Sequence, residues 1–125
     1  MQRRNQRILH ERIEGLKRGL KMKRMAFKMK LKPGCEAEYK KRHDEIWPEL
    51  SCMLREAGVS VYFIFLDSET LTLFAVQKLA EGSTAESLPQ DPIVRKWWNY
   101  TSDIMVTNPD HSPVCVTLPE MFHMQ

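Results

Sequence analysis

The pattern of apolar and polar positions predicts four strands. Apolar and basic residues alternate from Met25 to Leu31, as is typical of a half-buried strand. Val59 to Leu66 is rich in aromatic and β-branched residues, and a short polar turn joins it to Leu71 to Gln77, so the two runs predict a hairpin. Val114 to Phe122 predicts a last strand, and Pro119 should place it at a sheet edge or give it a bulge, because proline cannot donate a ladder hydrogen bond.

Two helical regions are predicted between these strands. The first runs to about Ala57, with a kink or break near Trp47, because Pro48 pushes the preceding residue away from helical angles. The second begins at Asp91, a good N-cap that is followed by a proline at the first helical position. The apolar stripe of this second helix is Val94, Trp97, Trp98, Thr101, Ile104 and Met105.

The order β-α-β-β-α-β predicts an α+β fold, the split βαβ arrangement with both helical regions on one face of an antiparallel sheet. The other face of the sheet needs a cover, and the sequence encodes no third layer. A second copy of the chain, packed sheet to sheet in a two-fold dimer, is the expected solution.

Charge divides the chain of 125 residues into two parts. Residues 1–24 hold nine Lys/Arg and two Glu, a net charge of +7, whereas residues 25–125 have a net charge of −4. We therefore predict a basic N-terminal extension at residues 1–21 and one folded domain at 22–125. The acidic body argues against nucleic acid as a partner, since phosphate contacts require clustered Lys and Arg.

Composition also indicates where the protein works. No apolar run approaches the roughly 20 residues that span a bilayer, so we expect no membrane partner. Three cysteines without a CxxC pair suit a reducing compartment, which predicts a cytoplasmic protein. The spacing of potential ligands does not predict a metal site.

The candidate chemistry begins with Tyr39 and His43, which lie one helical turn apart on an otherwise apolar stripe. Histidine both gives and takes a proton near neutrality, because its unperturbed pKa is roughly 6.5. A hydrogen-bonded structural histidine is the alternative interpretation, and the pattern alone does not exclude it.

Trp97 and Trp98 point about 100° apart on a helix, so one of them can pack in the core while the other lines a pocket. The alternative is that both tryptophans pack in the core. Together with Tyr39, Tyr62 and His43 they form a set that suits a sugar, whose C–H faces lie against rings while its hydroxyls need donors and acceptors. No phosphate-binding glycine motif is present.

These residues resemble the L-rhamnose mutarotase family over roughly Met25 to Phe122. The matching motifs are Glu38-Tyr39 with Arg42-His43, Ile46-Trp47-Pro48-Glu49-Leu50, Tyr62 with Leu66-Asp67, Leu73-Phe74-Ala75, Trp97-Trp98, and Asn108-Pro109-Asp110 with Ser112-Pro113.

The resemblance implies an isomerase that interconverts the α and β anomers of L-rhamnose. It implies that His43 donates the proton and that Tyr39, Tyr62, Trp97 and Trp98 contact the monosaccharide. It further implies a homodimeric, ferredoxin-like α/β barrel in the cytoplasm, without metal or cofactor.

Some features leave other interpretations open. The family usually has Asn-Pro where this chain has Asp44-Glu45, and two carboxylates beside His43 are expected to raise its pKa if they come close. A related 6-deoxy sugar such as L-fucose is therefore an alternative substrate. Outside this activity, the alternatives are a dimeric α/β-barrel monooxygenase and a non-catalytic sugar-binding protein.

Overall fold

The computed structural model describes residues 23–124, so the basic extension predicted at residues 1–21 lies outside the described residues. The strands are β1 (Lys23–Lys30), β2 (Val59–Asp67), β3 (Thr72–Leu79) and β4 (Val116–Leu118). The helices are α1 (Glu36–Asp44), α2 (Pro48–Glu56) and α3 (Pro92–Thr101), and a short 3₁₀ helix spans Ala85–Gln90.

The four strands form one antiparallel sheet in the order β2-β3-β1-β4. This confirms the predicted α+β fold and the antiparallel sheet of the β-α-β-β-α-β order. β4 lies at an edge as predicted, but it spans only three residues and ends immediately before Pro119. The predicted strand from Val114 to Phe122 was therefore too long, because proline removes the donor that a longer ladder needs.

The two faces of the sheet differ in burial. On the inner face, the row Ile64, Ala75, Phe27 and Thr117 runs across all four strands, and its central members are buried. On the outer face, the adjacent row of paired residues is exposed. It consists of Phe65, Phe74, Lys28 and Val116. The helices thus pack against one face, and the apolar residues of the other face lack a cover among the described residues.

The first helical region is broken where the sequence predicts. α1 ends at Asp44, and α2 begins with Pro48 as its first residue after an extended Trp47. Gly58 follows α2 with a φ of 95°, a conformation that glycine adopts without strain. The break leaves His43 in the last turn of α1, beside the gap between the two helices.

The second helical region is shorter than its apolar stripe suggests. Asp91 caps α3 as predicted, since its Oδ1 accepts a hydrogen bond from the Ile93 amide at 2.9 Å. α3 ends at Thr101, so neither Ile104 nor Met105 lies on the helix: Ile104 is buried in the turn that follows, and Met105 is buried where it forms a β-bridge with Leu31. None of the helices within residues 23–124 combines the length and the apolar character that crossing a membrane requires.

Candidate active site

Helix α1 brings Tyr39 and His43 into contact, as their spacing predicts. Their rings stack with centroids 4.1 Å apart and planes inclined by 28°. Tyr39 is buried in the core that covers the inner face of the sheet, whereas His43 is half-buried. The imidazole therefore rests on a fixed aromatic surface and still has an open side.

The main chain orients the His43 ring. Nδ1 lies 3.0 Å from the carbonyl oxygen of Tyr39, one helical turn earlier. A carbonyl oxygen only accepts hydrogen bonds, so Nδ1 must carry the hydrogen and donate it. In the neutral ring, Nε2 is consequently left with its lone pair, and it is the atom that can exchange a proton with a ligand.

Burial lowers the pKa of His43 below its ordinary value of 6.5, because a charged imidazolium is poorly solvated at this position. The hydrogen bond to Tyr39 and the charge of Asp44 raise the pKa, but burial outweighs them. The charge of Asp44 thus acts in the expected direction, and the net lowering of the His43 pKa is the effect of burial. The Asp44 carboxylate accepts a hydrogen bond from Lys40 Nζ at 2.7 Å, in an exposed pair.

The two adjacent tryptophans of α3 have different environments. Trp97 is only 8% exposed, and its ring meets the His43 ring edge to face at 5.4 Å and the Trp47 ring at 5.0 Å. Trp98 is half-buried, with the Arg95 guanidinium 5.5 Å from its ring centroid. Trp97 thus belongs to the core and also touches the histidine, while Trp98 keeps an accessible face.

Tyr62 approaches the same space from the inner face of β2. Its side chain is 38% exposed because it borders an open cavity, yet the surrounding protein desolvates the phenol and raises its pKa to about 12. Burial likewise raises the pKa of Tyr39 far above the usual value, with a smaller contribution from Tyr62. Both hydroxyls therefore stay protonated near neutral pH and can donate hydrogen bonds.

All five residues predicted for the site line one cavity between the inner face of the sheet and the helices. They are Tyr39, His43, Tyr62, Trp97 and Trp98. Within residues 23–124, no group of three or more His, Cys, Asp or Glu side chains is arranged to hold a metal ion. The five predicted residues bring one imidazole, two phenols and two indoles to the wall of this cavity.

Arg42 fixes helix α1 against the end of α3. Its guanidinium donates two hydrogen bonds to the Asp103 carboxylate, at 2.8 and 3.1 Å, and one to the Tyr100 carbonyl oxygen at 2.8 Å. Nε donates to Glu38 at 2.9 Å within α1. The Arg42 side chain is only 11% exposed, whereas the Asp103 carboxylate is 64% exposed, so the guanidinium is the shielded half of this pair. It sets the position of the next residue, His43.

Gln77 also lines the cavity, although it is not among the residues that the sequence singles out. The signal is visible in β3, where the inner positions are Leu73, Ala75, Gln77 and Leu79. A polar side chain in this otherwise apolar series indicates that the inner face borders the cavity at this position and not the apolar core.

Comparison with known proteins places the chain among its relatives. A family model described as L-rhamnose mutarotase matches residues 24–124. The L-rhamnose mutarotase of Flavobacterium johnsoniae is 56% identical over 101 residues, which cover 81% of this chain and 94% of that protein. The L-rhamnose mutarotase of Bacteroides thetaiotaomicron is 57% identical over 103 residues, which cover 82% of this chain and 99% of that protein.

A solved structure agrees with these sequence matches. The crystal structure of L-rhamnose mutarotase from Formosa agariphila superimposes with a TM-score of 0.77 at 50% identity. The match covers 82% of this chain and 99% of that chain. The family resemblance seen in the motifs around His43 and Trp97-Trp98 is thereby confirmed, and the chain belongs to the L-rhamnose mutarotase family, whose members are isomerases.

Proposed function

We propose that this protein interconverts the α and β anomers of L-rhamnose, with His43 as the group that transfers the proton. Tyr39, Tyr62, Trp97 and Trp98 are proposed to contact the sugar. The observation that carries the proposal is the position of the His43 imidazole on the cavity wall. Its Nδ1 is hydrogen-bonded to the Tyr39 carbonyl oxygen, which leaves Nε2 to exchange protons.

Ring opening requires two proton transfers, one from the anomeric hydroxyl and one to the ring oxygen. The lowered pKa of His43 favours the neutral ring near pH 7, so Nε2 acts first as a base and takes the proton of the anomeric hydroxyl. The C1–O5 bond breaks as the carbonyl forms, and a neighbouring phenol or a water molecule delivers a proton to the ring oxygen.

Ring closure reverses these transfers after rotation about the C1–C2 bond. The ring oxygen attacks the other face of the carbonyl and gives up its proton, and the His43 imidazolium returns its proton to the anomeric oxygen. His43 thus ends neutral, and the proton donor role that the resemblance implies belongs to this half of the reaction. A positioned acid–base group of this kind contributes about 10² to 10⁴ in rate.

The direct test is the exchange of anomers measured by NMR saturation transfer, with L-rhamnose and L-fucose compared at equal protein concentration. We expect the protein to accelerate exchange of L-rhamnose more than that of L-fucose. Faster exchange of L-fucose would assign the site to the other 6-deoxy sugar. No acceleration of either sugar would refute a mutarotase and favour a sugar-binding protein without catalysis.

The pH dependence of this exchange follows from the pKa of His43. Because burial holds that pKa below 6.5, Nε2 is free near pH 7 and becomes protonated only in more acidic solution. After subtraction of the uncatalysed reaction, kcat/KM should be level from about pH 8 to about pH 7 and should fall toward about pH 5. A catalysed rate that increases on acidification would show that the imidazolium is the form that starts the reaction.

We also propose a homodimer in which two sheets pack through their outer faces and form an α/β barrel. The support is the row of exposed apolar residues on that face, with Phe63 and Phe65 in edge-to-face contact at 5.9 Å and Phe65 64% exposed. Leaving such a patch in water is unfavourable, and a two-fold axis lets the same patch cover itself.

Cytoplasmic localisation is proposed as well, since Cys35, Cys52 and Cys115 are all free thiols.

A charge on the outer face should separate the proposed dimer. Phe65→Lys would place two ammonium groups within one apolar interface, where desolvation is costly, so sedimentation velocity should show the mass of a monomer. The matched control is Cys52→Lys, a substitution at an exposed position of α2, which should leave the mass unchanged. A Phe65→Lys protein that still sediments as a dimer would place the interface elsewhere.

A further inference from the structure

Gln77 is a polar side chain in a place where the fold supplies apolar ones. It occupies the inner face of β3 between Ala75 and Leu79, and it is only 8% exposed. In β1 the residue that pairs with it is Met25, which offers no polar side-chain partner. A buried amide without hydrogen bonds is costly, so Gln77 must direct its polar atoms elsewhere.

The neighbour of Gln77 on the other side is Tyr62. The two residues pair directly across the β2–β3 ladder, and their side chains therefore stand next to each other on the inner face. The Gln77 amide also interacts with the Tyr62 phenol and partly counteracts the effect of burial on the phenol pKa. The strand register places the Gln77 amide beside Tyr62, and an N–H group directed at the phenol oxygen has an effect in this direction.

This interaction leaves part of the amide available. A glutamine side chain has two N–H hydrogens and a carbonyl oxygen with two lone pairs, and one N–H suffices for Tyr62. Gln77 and Tyr62 both line the cavity that contains His43. A sugar hydroxyl, which donates and accepts at once, is the kind of group that matches the remaining atoms.

We propose that Gln77 is a specificity-determining residue, whose amide holds the Tyr62 hydroxyl and makes a hydrogen bond to one hydroxyl of the sugar. The proposal rests on the sugar site proposed above and adds Gln77 of β3 to the four residues proposed there to contact the sugar. Removal of this contact should affect sugar binding and sugar choice more than the proton transfer at His43. A site that hydrogen-bonds a sugar hydroxyl discriminates strongly against sugars whose hydroxyl points elsewhere, because the buried polar group of the protein is then left unpaired.

The experiment compares Gln77→Leu with Thr72→Val. Leucine keeps the approximate volume of glutamine and removes its polar atoms. Thr72 is also a buried polar residue of β3, but it lies on the opposite face, where its hydroxyl accepts hydrogen bonds from Lys30 and Thr70. The control therefore reproduces the loss of a buried polar group from the same strand without touching the cavity.

For Gln77→Leu we expect the KM for L-rhamnose to increase about tenfold to a hundredfold, with kcat changed much less. The preference for L-rhamnose over L-fucose should shrink, and an ultraviolet pH titration should show a higher pKa for the Tyr62 phenol. Thr72→Val should change none of these three. Gln77→Glu, which keeps an acceptor but lacks the N–H donors when ionised, provides a second variant if Gln77→Leu does not fold, and it should also increase KM.

The outcomes separate this inference from the proposed function. Unchanged KM and unchanged sugar preference in a folded Gln77 variant, while a His43 variant is inactive, would overturn the role of Gln77 alone. Full activity of the His43 variant would overturn the proposed site itself. An equal change in Gln77→Leu and Thr72→Val would overturn the inference as well, because it would reduce Gln77 to a structural residue of β3.

Discussion

His43→Asn is expected to reduce the catalysed exchange of L-rhamnose anomers by about 10² to 10⁴ while the protein stays folded. Asparagine can still form a local hydrogen bond near the Tyr39 carbonyl, but it has no atom that accepts and returns a proton near neutral pH. The loss should therefore appear in kcat, because the chemical step loses its proton carrier and the sugar keeps its other contacts. Saturation transfer by NMR measures the exchange directly.

His111→Asn is the matched control for this substitution. His111 lies in an exposed loop with a φ of 70°, and its Nδ1 lies 2.9 Å from Asn99 Oδ1. Asparagine tolerates this left-handed conformation, so the control should fold and exchange anomers at nearly the original rate. Circular dichroism establishes that both variants are folded. A His43→Asn protein that retains the original rate would assign the proton transfer to another group and leave His43 a structural role.

Trp97→Ala is expected to destabilise the fold by about 3 to 5 kcal/mol. Trp97 packs against Trp47, Tyr100 and the His43 ring, and it belongs to the cluster that joins α2 and α3. Its removal leaves a cavity that the two short helices cannot close without moving. The free energy of unfolding in urea gives the loss, and anomer exchange should fall too, because His43 loses its edge contact.

Trp98→Ala provides the comparison, since it removes the same side chain from the next position of α3. Trp98 is half-buried, so the expected loss of stability is only about 1 to 2 kcal/mol. Loss of its accessible ring face should instead increase the KM for L-rhamnose about threefold to tenfold. Equal loss of stability in the two variants would contradict the division of roles between a core tryptophan and a wall of the sugar site.

Most of the fold could be predicted because its signals are local. The helix break at Trp47-Pro48, the cap at Asp91, the hairpin and the order of the elements all follow from backbone preferences of single residues and from short apolar periods. The prediction was wrong where the apolar pattern of the second helix continued beyond the end of that helix. Ile104 and Met105 extend the stripe of α3, but they are buried in the segment that follows the helix, because an apolar residue can be buried from any backbone conformation.

The five residues predicted for the site line one cavity, but their electrostatics did not follow from the sequence. Tyr39 and His43 share a helix face, so their contact follows from spacing. The direction of the His43 pKa did not follow, because adjacent carboxylates in the sequence indicated a higher value while burial of the ring lowers it. Gln77 became a candidate only when the strand register placed it beside Tyr62.

The amino-acid sequence by itself determined the class of fold, the family resemblance and the set of chemical groups available, because each depends on residue identity and short-range order. Tertiary structure alone decided which nitrogen of His43 is free, which tryptophan belongs to the core and which polar residue of the sheet meets the cavity. The hydrogen bond of His43 lies within one helical turn, but packing against Trp97 orients the ring that makes it. The other two properties depend on desolvation and on contacts between residues far apart in the chain, and such contacts exist only after the sheet and the helices have packed together.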